Sequence, residues 1–99
     1  MKKYLLIHVL MLSFNAFAEV TEEDVTVMRK EVKGMTKEEV IAKHIELFEA
    51  VKADPSENNC DAFGAFDTAS RNEKKISMMN FDAQDRLFSA QDNCGVIVF

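Results

Sequence analysis

The chain has 99 residues, 47% of them hydrophobic and 29% charged, with twelve Lys and Arg against seventeen Asp and Glu and a net charge of −5. That length allows one domain with a marginal core, and the acidic balance argues against nucleic acid and anionic lipid as partners. The three glycines are isolated and no GxSxG string occurs, so neither a glycine-rich phosphate loop nor a serine-hydrolase elbow is present.

The opening "MKKYLLIHVLMLSFNAFAEV" places Lys2 and Lys3 before an apolar run from Tyr4 to Leu12, then Ser13, Asn15 and the small-x-small triplet Ala16-Phe17-Ala18. This is the layout of a secretory leader cleaved after Ala18. His8 interrupts a run already shorter than the roughly 20 residues that span a bilayer. Glu19 follows the cut, so no cysteine is available there for lipid attachment. The expectation is a leader over 1–18, a single small domain over 19–99, and a periplasmic or secreted product with no membrane attachment. Loss of Lys2 and Lys3 without any acid takes the charge from −5 to −7. Tyr4 leaves with the leader and the chain has no Trp, which counts against a sugar-stacking site. Phe48, Phe63, Phe66, Phe81 and Phe88 read as core residues first and contact residues second.

Within the domain, "TEEDVTVMRKEVKG" begins with Thr21 and three acids and closes at Gly34, a helix with Val25, Met28 and Val32 on one face. The second segment is the clearest: Thr36 and Glu39 form a capping box, and Pro55 ends the pattern. Val40, Ile41, Ile45, Leu47, Phe48 and Val51 gather on its apolar side. After "DPSENN", Cys60 opens a short helix with Ala62, Phe63, Ala65, Phe66 and Ala69 as its stripe, and "SRNEKK" reads as a loop or helix end. The last helix begins near Asn80 with Phe81, Leu87 and Phe88 as buried anchors, and stops at Asn93 or Gly95. The fold class is all-α, a small bundle of about four short helices with an extended apolar tail, Val96, Ile97, Val98 and Phe99. The alternative is α+β, with "VIVF" pairing against "VTVM" in a two-stranded ribbon, which is marginal unless helices cover it.

Cys60 and Cys94 are the two cysteines, and an exported small domain with an even count is the setting for a disulfide. If the third and fourth helices run antiparallel, the start of one lies beside the end of the other, within reach of a bond. No Cys-x-x-Cys or Cys-x-x-Cys-His string suggests a redox or haem site, and a zinc site of Cys60, Cys94 and His44 lacks a fourth ligand. His44, the sole histidine after the leader, falls in the apolar stripe between Val40 and Phe48. It reads as a core or boundary histidine with one hydrogen-bonded nitrogen, and as the candidate pH-sensitive residue because a charged imidazole is disfavoured on an apolar face. The acidic pairs Glu22-Glu23, Glu38-Glu39 and Asp82 with Asp85 are explained by helix starts. The stretch from Asp54 to Ala65 fails as a calcium loop, having Asn59 and Ala65 where Gly and Glu are required. Met78-Met79 reads as gap filling or a helix approach in preference to a copper site.

In size, leader and cysteine count, the chain is similar to periplasmic acid-stress chaperones and periplasmic immunity proteins, with no matching residues to carry a role across. The sequence therefore raises three expectations in order. The first is a non-enzymatic envelope binding protein, an inhibitor or immunity protein using its acidic surface on a basic partner protein. The second is an acid-responsive chaperone-like stress protein, and the third a small enzyme. No catalytic residue, metal or cofactor is assigned, and self-association stays open. The tail Val96 to Phe99 is either the last core strip or the strip a partner covers.

Overall fold

Each helix starts on a side-chain cap. The side-chain oxygens of Thr21, Thr36, Ser56 and Asn80 accept from the backbone N–H of Asp24, Glu39, Asn59 and Ala83 at 3.1, 3.0, 3.2 and 3.0 Å. Thr21 and Thr36 are answered reciprocally by the carboxylates of Asp24 and Glu39, which complete two capping boxes. Each such cap stabilises its helix by about 1 kcal/mol. A computed structural model describes residues 21–95, so the leader over 1–18 and the tail Val96 to Phe99 lie outside the described residues.

Four helices result: α1 (Glu22–Lys33), α2 (Lys37–Ala53), α3 (Glu57–Asn72) and α4 (Phe81–Cys94). The described residues form a small all-α bundle without strands, and Val25 to Met28 lie inside α1, which removes the ribbon alternative at that end. The third helix starts three residues before Cys60, because Ser56 supplies the cap directly after Pro55. Asn59 then donates its side-chain amide to the carbonyls of Ala50 and Asp54, satisfying the end of α2 from the start of α3. The helix also continues through "SRN", ending in a Schellman turn in which Lys75 N–H bonds to Ser70 O and Lys74 N–H to Arg71 O. Lys74 takes the left-handed position at φ 59° that glycine usually holds. Gly95 occupies the equivalent conformation after α4 at φ 79°.

Helix α3 packs against α1 and α2, and α2 packs in turn on α4. Two apolar clusters fill the interior. One gathers Val32, Val40, Phe66, Ala69, Ile76 and Ala83; the other gathers Val51, Phe63, Ala90 and the cystine Cys60–Cys94. Leu47 borders both.

Two expected core residues are not in the core. Phe81 is 67% exposed and Phe88 58% exposed, whereas α4 buries Ala83, Ala90 and Cys94. Leu87 packs partly against the second cluster, as expected. The helix is rotated so that Cys94 reaches Cys60 and Arg86 reaches α2, which turns the phenylalanines outward. Met78 and Met79 are likewise exposed in the turn before α4 and fill no gap, and Ile45 on α2 is exposed at the edge of its stripe.

Candidate functional site

Cys60 and Cys94 meet at 1.99 Å between sulfurs and 6.2 Å between Cα atoms, joining the first turn of α3 to the last residue of α4. The two described cysteines are therefore paired, and neither is free as a nucleophile or ligand.

Between the two apolar clusters runs a polar seam. On α2, His44 lies between Val40 and Val51 and is fully buried. Arg86 of α4 donates its Nε hydrogen to His44 Nδ1 at 2.9 Å. An arginine is always a donor, so Nδ1 presents a lone pair and the ring hydrogen sits on Nε2. That Nε2 donates to Asp67 Oδ1 of α3 at 2.8 Å. Asp67 in turn accepts from Arg71 Nε at 3.1 and 3.0 Å on its two oxygens. Phe63 closes one side, its ring centroid 4.7 Å from that of His44 and tilted to it. The arrangement is a chain, Arg86 to His44 to Asp67 to Arg71, with the imidazole between one guanidinium and the carboxylate and with α2, α3 and α4 each contributing. Three polar atoms near it, Ser70 Oγ and the Nη2 atoms of Arg71 and Arg86, are buried without a hydrogen-bond partner among the described residues. A buried polar group left without a partner carries a desolvation cost.

A second feature lies at the surface between α1 and α3. Asp24, Val27, Met28, Asp61, Ala62 and Ala65 line an open groove of about 340 Å³. Burial, reinforced by the charges of Glu57 and Asp24, pushes the Asp61 carboxyl up from 3.8 to about 6. One of its oxygens, Oδ1, is buried and accepts no hydrogen bond from a described residue. On the other side of α1, Arg29 reaches Glu73 at 2.6 Å and holds that carboxyl below its ordinary range.

Of the core and boundary positions the sequence allows for His44, the structure gives it a core one, and engages both of its ring nitrogens instead of one. Asp67, Arg71 and Arg86 were not singled out by sequence reasoning. A signal for two of them existed: Asp67 interrupts the apolar run of Phe63, Phe66 and Ala69, and Arg86 sits at helical spacing between Ala83 and Ala90. The carboxylates of Glu22, Glu23, Glu38, Glu39 and Asp82 do lie in first turns, whereas Asp85 lies a turn further along α4. No cluster of three or more His, Cys, Asp or Glu among the described residues is arranged to hold a metal ion, and no described helix is long and apolar enough to cross a membrane.

Comparison with protein-family models, with curated proteins and with solved structures returned no match.

Proposed function

We propose that this is a non-enzymatic binding protein of the bacterial envelope, exported by its leader, whose acidic surface engages a basic partner protein in the manner of an inhibitor or immunity protein. The observation that supports this reading most is the balance of exposed charge. All three arginines of the chain point to internal partners: Arg29 to Glu73, Arg71 to Asp67 and Arg86 to His44. Lys75 is bound to the carbonyl of Met35 and Lys52 lies beside Glu49. Arg29, Lys30, Lys33, Lys37, Lys52 and Lys74 are exposed, and among the described residues twelve exposed carboxylates outnumber these six cations, at the starts of α1, α2 and α4 and along their outer faces. An excess of one sign that the fold does not neutralise attracts an opposite surface over a Debye length and speeds association. The engagement of both His44 nitrogens also leaves that side chain without a free base for catalysis.

The test is capture from envelope extract on the immobilised protein. A stoichiometric basic partner released by raised salt is the expected result. Retention of nothing, or of a partner indifferent to salt, overturns the reading.

The polar seam favours a second reading, an acid-responsive chaperone-like stress protein. Protonating His44 at Nδ1 removes the lone pair that Arg86 uses, and it sets three positive groups, His44, Arg71 and Arg86, against the single carboxylate of Asp67. Acid would then part α4 from α2 and uncover the aromatic interior. Binding of a hydrophobic dye should rise on acidification in the parent and far less in His44→Gln; equal responses reject this second reading.

A further inference from the structure

The side of α4 turned away from the bundle has its own pattern. Phe81, Asp85, Phe88 and Asp92 follow one another at spacings of four, three and four residues, which aligns all four in one stripe along the helix. Every one of them is exposed. The residues that face the bundle, Ala83, Arg86, Ala90 and Cys94, form the opposite stripe. Asp82 borders the exposed stripe, and Met78 and Met79, both largely exposed, extend its apolar surface beyond the start of the helix. Scattered exposed apolar residues are ordinary, but two phenylalanines a helical repeat apart with two methionines beside them form a patch of the kind that marks an interaction surface.

Charge decides what fits it. The one basic residue of α4, Arg86, reaches inward to His44, so the outer stripe presents rings and carboxylates with no positive group from its own helix. A second copy docking symmetrically would bring the same aspartates against these, a like-charge opposition. The tail Val96 to Phe99 could cover rings but has no cationic side chain with which to meet Asp85 and Asp92.

We propose that the Phe81–Asp85–Phe88–Asp92 stripe is the docking surface for an amphipathic basic helix of a partner protein, with apolar side chains covering the two rings and lysines or arginines meeting the two aspartates. The seven-residue step from Phe81 to Phe88 corresponds to about 10 Å along the helix, the repeat on which a partner helix places successive anchors. This assignment rests on the acidic-surface reading above and names the face that serves it.

The probe is a synthetic helical peptide with leucines along one face and lysines flanking them, titrated into isotope-labelled protein while backbone amide shifts are followed. Shifts should concentrate on Phe81, Asp85, Phe88, Asp92 and their neighbours. The Asp85→Lys/Asp92→Lys and Phe88→Ser variants should each bind about tenfold more weakly, and a Lys-matched peptide with its leucines scrambled should do the same. A charge-reversed groove, Asp24→Lys/Asp61→Lys, should bind as the parent does. If the groove variant loses binding and the α4 variants keep it, the stripe assignment is overturned while the acidic-surface reading stands. If the peptide binds nowhere, the stripe assignment falls, while the acidic-surface reading stands or falls with the capture experiment. Removing residues 96–99 should leave the ring signals of Phe81 and Phe88 unchanged; a shift of those signals would make the tail the occupant and overturn the proposal. Self-association abolished by Phe88→Ser would overturn it in favour of a second copy.

Discussion

Arg86 and His44 are joined through Nε and Nδ1 at 2.9 Å, across the contact between α4 and α2. The bond fixes the imidazole tautomer, and through it the hydrogen that His44 offers to Asp67. Removing Arg86 as Arg86→Ala therefore leaves a buried acceptor unpaired and should cost about 1–3 kcal/mol. Asp67→Asn should cost about 3 kcal/mol, because Arg71 loses its carboxylate at a site where Asp67 is nearly inaccessible. The two losses should not add, since Arg86 and Asp67 belong to one hydrogen-bonded chain through His44. Denaturant titration of the single and double variants checks this, and strict additivity would show that the seam is not one network.

The groove between α1 and α3 gives a pH dependence of definite sign. Asp61 is pushed up to about 6 from 3.8 by burial, then by Glu57 and Asp24, so the folded chain holds this proton more tightly than the unfolded chain does. Between those two values folding takes up a proton, and stability falls as pH rises through that window. Asp61→Asn should thus stabilise the protein above pH 6, by no more than about 0.5 kcal/mol because the groove is open to screening. Below pH 3.8 it should change nothing. Thermal melts at both extremes measure the difference, and equal gains at both would refute the assignment.

Reduction of the Cys60–Cys94 bond, or Cys60→Ser/Cys94→Ser, releases a constraint between residues 34 apart. The chain-entropy argument puts the loss at about 3–4 kcal/mol. Total stabilities start at about 5 kcal/mol, so the reduced protein should lie near its unfolding midpoint at moderate temperature. Melting with and without reductant reads this directly.

Phenylalanines on α3 and α4 should respond in opposite ways to truncation. Phe66, fully buried in the first cluster, should lose about 3–5 kcal/mol as Phe66→Ala. Phe88→Ser should fall within about 0.5 kcal/mol of the parent, because the ring is more than half exposed. A large loss at Phe88 would mean that it is covered within the folded chain.

Lys74 pays the left-handed backbone penalty at the end of α3 without needing its side chain for the Schellman turn. Lys74→Gly should therefore raise stability by about 1 kcal/mol, provided the freedom glycine adds to the unfolded chain does not offset it. Denaturant midpoints compare the two.

Much of this architecture is legible without coordinates, because it depends on neighbours in the chain. The Thr21 and Thr36 caps act over three residues, the stop at Pro55 is local, and the start of α4 near Asn80 and its end at Asn93 or Gly95 follow from residue types at the helix boundaries, the structure placing the end at Gly95. Ser56 was missed as the cap of α3 for a local reason as well: the following residues, "ENNC", show no apolar periodicity to announce a helix. The place of His44 in the stripe of α2 allows a core or a boundary position, and its partners are not legible at all, since Asp67 is 23 residues away and Arg86 is 42.

What the sequence by itself determined is the four helices, the Thr21 and Thr36 caps, the pairing of the two cysteines and the acidic balance, all set by residue type at short range or by the count of thiols. What only the tertiary structure decided is which side of α4 is inside. Hydrophobicity alone turns Phe81 and Phe88 inward, and burying a phenylalanine is worth about 1.5–3 kcal/mol. Rotating the helix by half a turn to do so would carry Cys94 away from Cys60 by about the 10 Å diameter of a helix and withdraw Arg86 from His44. A disulfide and a buried hydrogen bond, together with the close approach that Ala83 and Ala90 allow, oppose that rotation. The rings are left outside, in line with Asp85 and Asp92, where a surface is made by the same constraint that closes the core.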